Sequence, residues 1–286
     1  MPQISRPDGA SIHYEVYGAG YPLLLIAPGG VSSQVDFWQR SAINPIDRFA
    51  GSFQVIAMDQ RHAGRSLAPM RPFSYDTCNA DQLAVLDELG IERAHVMGGC
   101  IGCAHIWRLL STAPTRFTAA VCQDPVGLDA SNNMDVFYRM FHETIRVARA
   151  DGIDAVIAAA EANPLFVTNN AAGPFAPLLN AREDARELLR AMGRERYIAL
   201  ITEFRDGIWP ANPPYFTVTE AWMRSCPVPL LVLPGHDQFH PTSVSEQIGR
   251  DAPHARCLAV GCREPGEIEA TIDAISEFLL EHTPYS

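Results

Sequence analysis

The sequence predicts an α/β fold in which helices flank a mostly parallel central sheet. Continuous apolar runs, such as residues 21–27 and 229–233, are typical of strands that are buried on both faces. Stretches with helical spacing of apolar residues separate these runs, and alternating strands and helices predict a parallel sheet. The composition agrees, because 47% of the 286 residues are hydrophobic, which is enough for one large domain with a sizeable core.

The N-terminal part of the chain carries the clearest strand signals. Residues 11–17 alternate between apolar and polar side chains, and the apolar run 21–27 ends in a Gly-rich loop. Apolar residues at helical spacing predict a helix over 76–89 that ends at Gly90. Further buried strands are predicted at 53–58, 94–97 and 118–122.

Residues 128–224 interrupt this alternation. They contain helical patterns joined by Pro-, Gly- and Asn-rich stretches, and no convincing strand. The predicted helices of this stretch are 134–150, 153–161 and 181–191. We therefore expect a helical cap at 128–224, inserted into a core formed by 1–127 and 225–286. The core resumes with a strand at 229–233, a helix at 242–250, a last strand at 256–260 and a closing helix at 265–281.

Charge and cysteine content limit the partners and the compartment. The net charge is −11 and no cluster of Lys or Arg is visible, which argues against nucleic acid and anionic membranes as partners. The seven cysteines are scattered and odd in number, which favours free thiols in a reducing cytoplasm. No secretory signal and no membrane-spanning run is visible. We expect a cytoplasmic protein with a small-molecule substrate, and a homodimer is left open.

The most informative segment is Gly98-Gly99-Cys100-Ile101-Gly102. It follows an apolar run and precedes a helical stretch at 103–110, which predicts a strand, a tight turn and a helix. Such a turn exposes one side chain at a helix N-terminus, where the thiolate form of a cysteine is favoured. Cys100 is therefore a candidate nucleophile. Two alternatives stay open, namely an inert buried thiol and a redox pair with Cys103 at C-x-x-C spacing.

Four segments together resemble the α/β-hydrolase superfamily over nearly the whole chain. They follow the order of the superfamily: the oxyanion loop at Pro28-Gly29-Gly30, an Asp-x-Arg-Gly-x-Gly-x-Ser-like segment at 59–66, the elbow at 98–102 and an acid loop at 235–241. His62 replaces the first Gly of the second segment. The elbow holds Cys where Ser is usual, and dienelactone hydrolases of this superfamily resemble it in that respect.

The resemblance assigns roles to several of these residues. Cys100 would attack a carbonyl and form a thioester. The oxyanion hole would be built from backbone N–H groups of Ile101 and of Gly30 or Val31. Asp237 matches the acid of the triad, and Asp124, which follows the strand at 118–122, is the alternative acid.

The expected base is where the sequence departs from the superfamily. A histidine normally follows the last strand, but residues 259–265 contain none. His240 is our candidate, because it lies three residues beyond Asp237 on a loop at the same edge of the sheet as the elbow. His62 is the alternative base. His236, Asp237 and His240 also suit a metal, but no separated fourth ligand is visible, and we expect neither a metal nor an organic cofactor.

These observations favour a Cys-dependent hydrolase. Many aromatic residues in the cap would line an apolar pocket, which favours a mid-sized, partly hydrophobic ester, lactone, thioester or activated ketone. Two other functions stay open on the same fold. One is a lyase, isomerase or carbon–carbon bond cleaving enzyme, and the other is a small-molecule binding protein without catalysis.

Overall fold

The computed structural model describes residues 2–162, 176, 179, 182–259, 261 and 265–284. Within them lies an eight-stranded sheet with the order β1-β2-β4-β3-β5-β6-β7-β8. The strands are β1 (Gln3–Ser5), β2 (Ser11–Tyr17), β3 (Tyr21–Ile26), β4 (Phe53–Met58), β5 (Ala94–Gly99), β6 (Phe117–Gln123), β7 (Leu230–Leu233) and β8 (Ala255–Cys257). Only the pairings of β2 with β1 and with β4 are antiparallel. The predicted α/β fold with a mostly parallel sheet is confirmed.

Helices of the described residues cover both faces of the sheet and fill the segment between β6 and β7. They are α1 (Pro45–Phe49), α2 (Tyr75–Glu88), α3 (Ile101–Thr112), α4 (Met134–Asp151), α5 (Ile153–Ala162), α6 (Ala185–Met192), α7 (Arg194–Ile208), α8 (Glu220–Met223), α9 (Thr242–Asp251) and α10 (Ile268–Glu281). A 3-10 helix at Val35–Arg40 and the short α1 were not predicted, because they are too short to show a helical period. The elbow helix begins at Ile101, two residues before the predicted start.

Burial on both faces explains the continuous apolar runs. In β3, Leu24 and Ile26 pack into a core that includes residues of α2, α3 and α9. Leu23 and Leu25 point to the opposite face and pack into a core with α1 and α10. Because side chains alternate between the faces of a strand, a strand covered on both sides has no polar position.

The segment between β6 and β7 consists of helices and the loops that join them where the structure describes it. No strand lies in the described part of 128–224, and α4 contacts both α5 and α7. Buried aromatic rings, among them Phe137, Phe141 and Phe204, form the core of this segment. Two of the predicted Pro-, Gly- and Asn-rich stretches, at 163–164 and over most of 169–177, lie outside the described residues. The division into core and cap at residues 128 and 224 stays a prediction.

The last strand is shorter than predicted. β8 ends at Cys257 instead of Val260, and its residues are only partly buried because it is the edge of the sheet. An edge strand is paired on one side only, so its end is less firmly fixed than that of a central strand. The apolar pattern therefore gave the wrong boundary. Val260 and residues 262–264 lie outside the described residues. No helix in the described part of the chain is long and apolar enough to cross a membrane.

Candidate active site

The elbow holds Cys100 in a strained conformation between β5 and α3. Its backbone has φ 55° and ψ −122°, and its N–H donates to the carbonyl oxygen of Gln123 at 2.9 Å. A side chain at Gly102 would bring a Cβ within 2.5 Å of the carbonyl oxygen of Ile26, so only glycine fits there. Strain of this kind, held by close packing, is typical of functional positions. The elbow presents the partly buried Cys100 side chain to a cavity.

The loop between β7 and α9 joins Asp237 to His240. The Nδ1–H of His240 donates to Oδ1 of Asp237 at 2.8 Å. The same oxygen accepts the backbone N–H groups of Phe239 at 2.8 Å and His240 at 3.1 Å. The hydrogen bond from His240 and these two backbone donors hold the pKa of Asp237 well below its usual value. Asp237 therefore stays ionised and fixes the orientation of the imidazole.

His240 lies against Cys100 and is 6% exposed. Burial alone would lower the pKa of the imidazole, but the charge of Cys100 and the hydrogen bond to Asp237 raise it to about 10. Nε2 is buried, and among the described residues it has no hydrogen bond of ordinary geometry. The structure thus brings Cys100, His240 and Asp237 together.

The predicted oxyanion donors face the same cavity. Gly30, Val31 and Ile101 line it together with Cys100. Ile101 is the first residue of α3, and Gly30 opens a short 3-10 helix that includes Val31. The first N–H groups of a helix have no acceptor within that helix and can bind an anion. Their use as an oxyanion hole stays a prediction.

Asp59 fixes the loop that carries Gly30 and Val31, a role that sequence reasoning missed. Its Oδ1 accepts the N–H of Val35 at 2.7 Å, and its Oδ2 accepts the N–H of Arg65 at 2.8 Å. Asp59 is 1% exposed, so these bonds are shielded from water. The sequence showed that Asp59 belongs to the motif at 59–66. Only the fold shows that Asp59 holds the loop that carries Gly30 and Val31.

The two alternative residues have different surroundings. His62 has φ 69° and lines a separate cavity with Arg61 and Phe204. Burial and the charges of Arg61 and Arg182 lower its pKa to about 4. The structure therefore does not bring His62 to Cys100. Asp124 is 5% exposed and lines a cavity with Cys100 and His240, but Asp237 is the carboxylate that accepts the Nδ1–H of His240.

The cavity in front of Cys100 has a volume of about 190 Å³ and mostly apolar walls. Residues of α4 and of the end of α7 close it above the elbow, and they are Met140, Phe141, Ile208 and Trp209. Val126 completes the wall from the loop after β6. Sequence reasoning named the aromatic residues but missed Val126 and Ile208. For Val126 the usable signal was its position just beyond a buried strand, at the same edge as the elbow.

The remaining candidates have structural surroundings. Cys103 is fully buried, and burial raises the pKa of its thiol well above the usual value. Its Sγ lies within hydrogen-bond reach of the carbonyl oxygens of Gly98 and Gln123. His236 pairs with Thr242 through Nδ1 at 3.0 Å. Among the described residues, no three His, Cys, Asp or Glu side chains lie together as ligands for a metal ion.

A nucleophile elbow on a sheet of this strand order defines the α/β hydrolases as a class. The chain matches the alpha/beta hydrolase fold family over residues 22–263, and it belongs to this family. The putative carbamate hydrolase RutD of Azorhizobium caulinodans is 33% identical over 168 residues, which is 58% of this chain and 58% of that protein. The zearalenone hydrolase of Bionectria ochroleuca is 32% identical over 126 residues, or 42% of this chain and 46% of that protein. The chain thus spans about half the length of these relatives.

Solved structures show the same fold over almost the whole chain. A thermophilic esterase from Thermogutta terrifontis superposes with a TM-score of 0.64 at 18% identity, covering 99% of this chain and 100% of that one. A meta-cleavage product hydrolase from Pseudomonas fluorescens has a TM-score of 0.62 at 19% identity, covering 99% and 98% of the two chains. At such identities the likeness concerns the fold alone. The predicted membership of the superfamily is confirmed.

Proposed function

We propose that the protein is a Cys-dependent hydrolase that cleaves an ester or carbamate bond through an acyl-cysteine intermediate, which is a thioester for an ester and a thiocarbamate for a carbamate. The observation that carries this proposal is that Cys100 and His240 line one cavity while Asp237 accepts the Nδ1–H of His240. Relatives named as a carbamate hydrolase, a methylesterase and a zearalenone hydrolase support an acyl substrate. The apolar cavity wall supports a substrate that is partly hydrophobic.

The first half-reaction forms the thioester. The thiolate sulfur of Cys100 forms a bond to the carbonyl carbon, and the π electrons of the carbonyl move to its oxygen. The N–H groups of Ile101 and of Gly30 or Val31 stabilise this oxyanion. The tetrahedral species then collapses, the bond to the leaving oxygen breaks, and Nε2 of His240 donates its proton to that oxygen. Because the pKa of His240 is raised to about 10, its ring carries this proton at neutral pH.

The second half-reaction releases the acid. Deprotonated His240 takes a proton from water, and the water oxygen forms a bond to the thioester carbon. The carbon–sulfur bond then breaks and regenerates the thiolate of Cys100. Asp237 keeps its hydrogen bond to Nδ1 in both half-reactions, so the ring stays aligned. No metal or organic cofactor enters either step.

The helical segment at 128–224 serves in this proposal as the cap of the site. α4 supplies Met140 and Phe141, and the end of α7 supplies Ile208, so the segment forms the wall opposite the elbow. Its apolar side chains would exclude water from the thioester except for the attacking molecule. Differences in this wall would set the size of the accepted acyl or alcohol group.

The test is a panel of 4-nitrophenyl esters and carbamates assayed with the parent protein and with variants. We expect a burst of 4-nitrophenolate and an acyl adduct on Cys100 in intact-mass and peptide-mass spectra. Cys100→Ala should abolish both, whereas Cys257→Ala, which changes another partly buried thiol, should keep both. Turnover that persists in Cys100→Ala would exclude the covalent mechanism. Ligand-induced thermal stabilisation without turnover of any ester would indicate a binding protein instead.

A further inference from the structure

Cys100 and His240 line two cavities that are both mostly apolar, and the second also has charged and amide side chains in its wall. The first is the apolar cavity under the helical segment. The second has a volume of about 570 Å³ and also includes Gly29, Cys100 and His240 in its wall. Polar side chains of the second cavity come from Arg40, Ser41, Gln123 and Asp124. A substrate held at Cys100 can therefore extend in two directions, and the proposed reaction uses only the first cavity.

Arg40 is the one Arg or Lys among the described residues that line either cavity. It ends the 3-10 helix Val35–Arg40, its side chain is exposed, and its guanidinium lies 5.7 Å from the centre of the Phe37 ring. No ion pair joins it to a carboxylate in the part of the chain that the structure describes. A guanidinium held on an aromatic ring keeps its in-plane N–H groups available for a carboxylate.

The second cavity has a buried end and an exposed end. Asp124 and Gln123, which are 5% and 6% exposed, form the buried end beside Cys100. Arg40 forms the exposed end. An arm that reaches from Cys100 to Arg40 leaves the buried end formed by Asp124 and Gln123 and places its terminal charge away from Asp124. Because the chain has a net charge of −11, an anionic arm needs such a local cation to overcome long-range repulsion.

We propose that the second cavity binds a carboxylate-bearing arm of the substrate and that Arg40 pairs with this carboxylate. The inference rests on the proposed function, because it places the scissile carbonyl at Cys100. It narrows the substrate class to esters or carbamates with one apolar arm and one arm that ends in a carboxylate. The apolar arm then occupies the cavity formed by Phe141, Ile208 and Trp209.

A matched pair of substrates tests the inference. The 4-nitrophenyl monoester of glutaric acid and 4-nitrophenyl pentanoate have acyl chains of equal length and differ in the terminal carboxylate. We expect Arg40→Gln to lower the kcat/KM ratio of the acidic to the neutral ester about tenfold, with most of the change in KM. Arg40→Lys keeps the positive charge, so it should lower this kcat/KM ratio less than Arg40→Gln does. Arg48→Gln, which removes an exposed cation paired with Glu269, should leave it unchanged. Cys100→Ala protein measures the uncatalysed background.

A binding measurement separates failure of this inference from failure of the proposed reaction. Glutarate should raise the Tm of Cys100→Ser protein, and adding Arg40→Gln should remove that rise while adding Arg48→Gln should not. This readout needs no turnover, so it stands even if neither ester is hydrolysed. A ratio that changes less than twofold in Arg40→Gln, or a glutarate effect that is equal in both double variants, would overturn the inference.

Discussion

Asp237 and His240 are joined by a hydrogen bond of 2.8 Å although only two residues separate them on one loop. The acid and the imidazole that orients toward Cys100 thus come from a single turn after β7. In this arrangement, the stretch after β8 need not supply a histidine to the site. A shortened or altered end of the chain after β8 is therefore compatible with an intact set of three residues at the elbow.

Replacing Asp237 by Asn should slow ester hydrolysis about a hundredfold or more in kcat, with a smaller change in KM. The amide of Asn is neutral, whereas the carboxylate of Asp237 that accepts the Nδ1–H of His240 is an anion. The ring therefore loses both its orientation and the stabilisation of its charged form. Steady-state kinetics with 4-nitrophenyl esters measure this change. Asp129→Asn alters another carboxylate, whose pKa is lowered by hydrogen bonds from Ser131 and Ser243, and its kinetics should match the parent. Equal kinetics of both variants would remove Asp237 from the mechanism.

The raised pKa of His240 predicts how the free energy of unfolding changes with pH. The pKa rises from about 6.5 to about 10 on folding, so folding favours the charged ring. This stabilisation is fully present below about pH 6.5 and is lost as the pH rises through about 10. Urea unfolding of the parent and of His240→Gln should therefore show a difference in unfolding free energy that shrinks across this window. The slope is at most about 1.4 kcal/mol per pH unit.

The control for this titration is His254→Gln, because His254 is exposed. His254→Gln should not reproduce the pH-dependent difference expected of His240→Gln. In Cys100→Ala, the stabilisation by charged His240 should be lost at lower pH than in the parent. The charge of Cys100 is one of the causes that raise the pKa of His240. A pH-independent difference between the parent and His240→Gln would contradict the raised pKa.

Local chemistry made the sheet and the elbow predictable from the sequence. A strand buried on both faces must be apolar throughout, which is why β3 was found almost to the residue, and a turn as tight as the elbow requires a small residue at Gly102. The loop that holds Asp237 and His240 was found from its resemblance to the acid loop of the superfamily, which follows the penultimate strand. Each of these signals lies within a few residues of the feature that it predicts.

Features that depend on contacts distant in sequence could not be predicted. Asp59 bonds the N–H of Val35, which lies 24 residues earlier in the chain, and nothing near Asp59 indicates that partner. The second cavity likewise combines Arg40 from a 3-10 helix with Gln123 from the end of β6. The left-handed conformation of His62 is set by the surrounding fold, since an isolated histidine would avoid it. Such relations appear only when the sheet has assembled the loops at one edge.

Gly102→Ala should destabilise the protein by about 1–3 kcal/mol, because the new Cβ would overlap the carbonyl oxygen of Ile26 at 2.5 Å. The Cβ is bonded directly to the backbone and the carbonyl oxygen of Ile26 is part of it, so neither atom can move away by rotation of a side chain. Gly51→Ala is the matched control, since a Cβ there meets no atom within 4 Å. Urea unfolding of the two variants gives the comparison. Similar unfolding free energies for both would mean that the elbow is looser than its geometry indicates.

Asp59→Asn should lower kcat about tenfold to a hundredfold while leaving KM nearly unchanged. The amide can accept only one of the two backbone N–H groups, of Val35 and Arg65, that the carboxylate accepts, so the loop carrying Gly30 and Val31 loses its alignment. We expect a loss of about 1–3 kcal/mol in the free energy of unfolding as well. Asp36→Asn changes a carboxylate that is 64% exposed in the same region and should alter neither quantity. If Asp59→Asn lost stability but kept the parent kcat, the clamp would serve the fold without positioning the oxyanion donors.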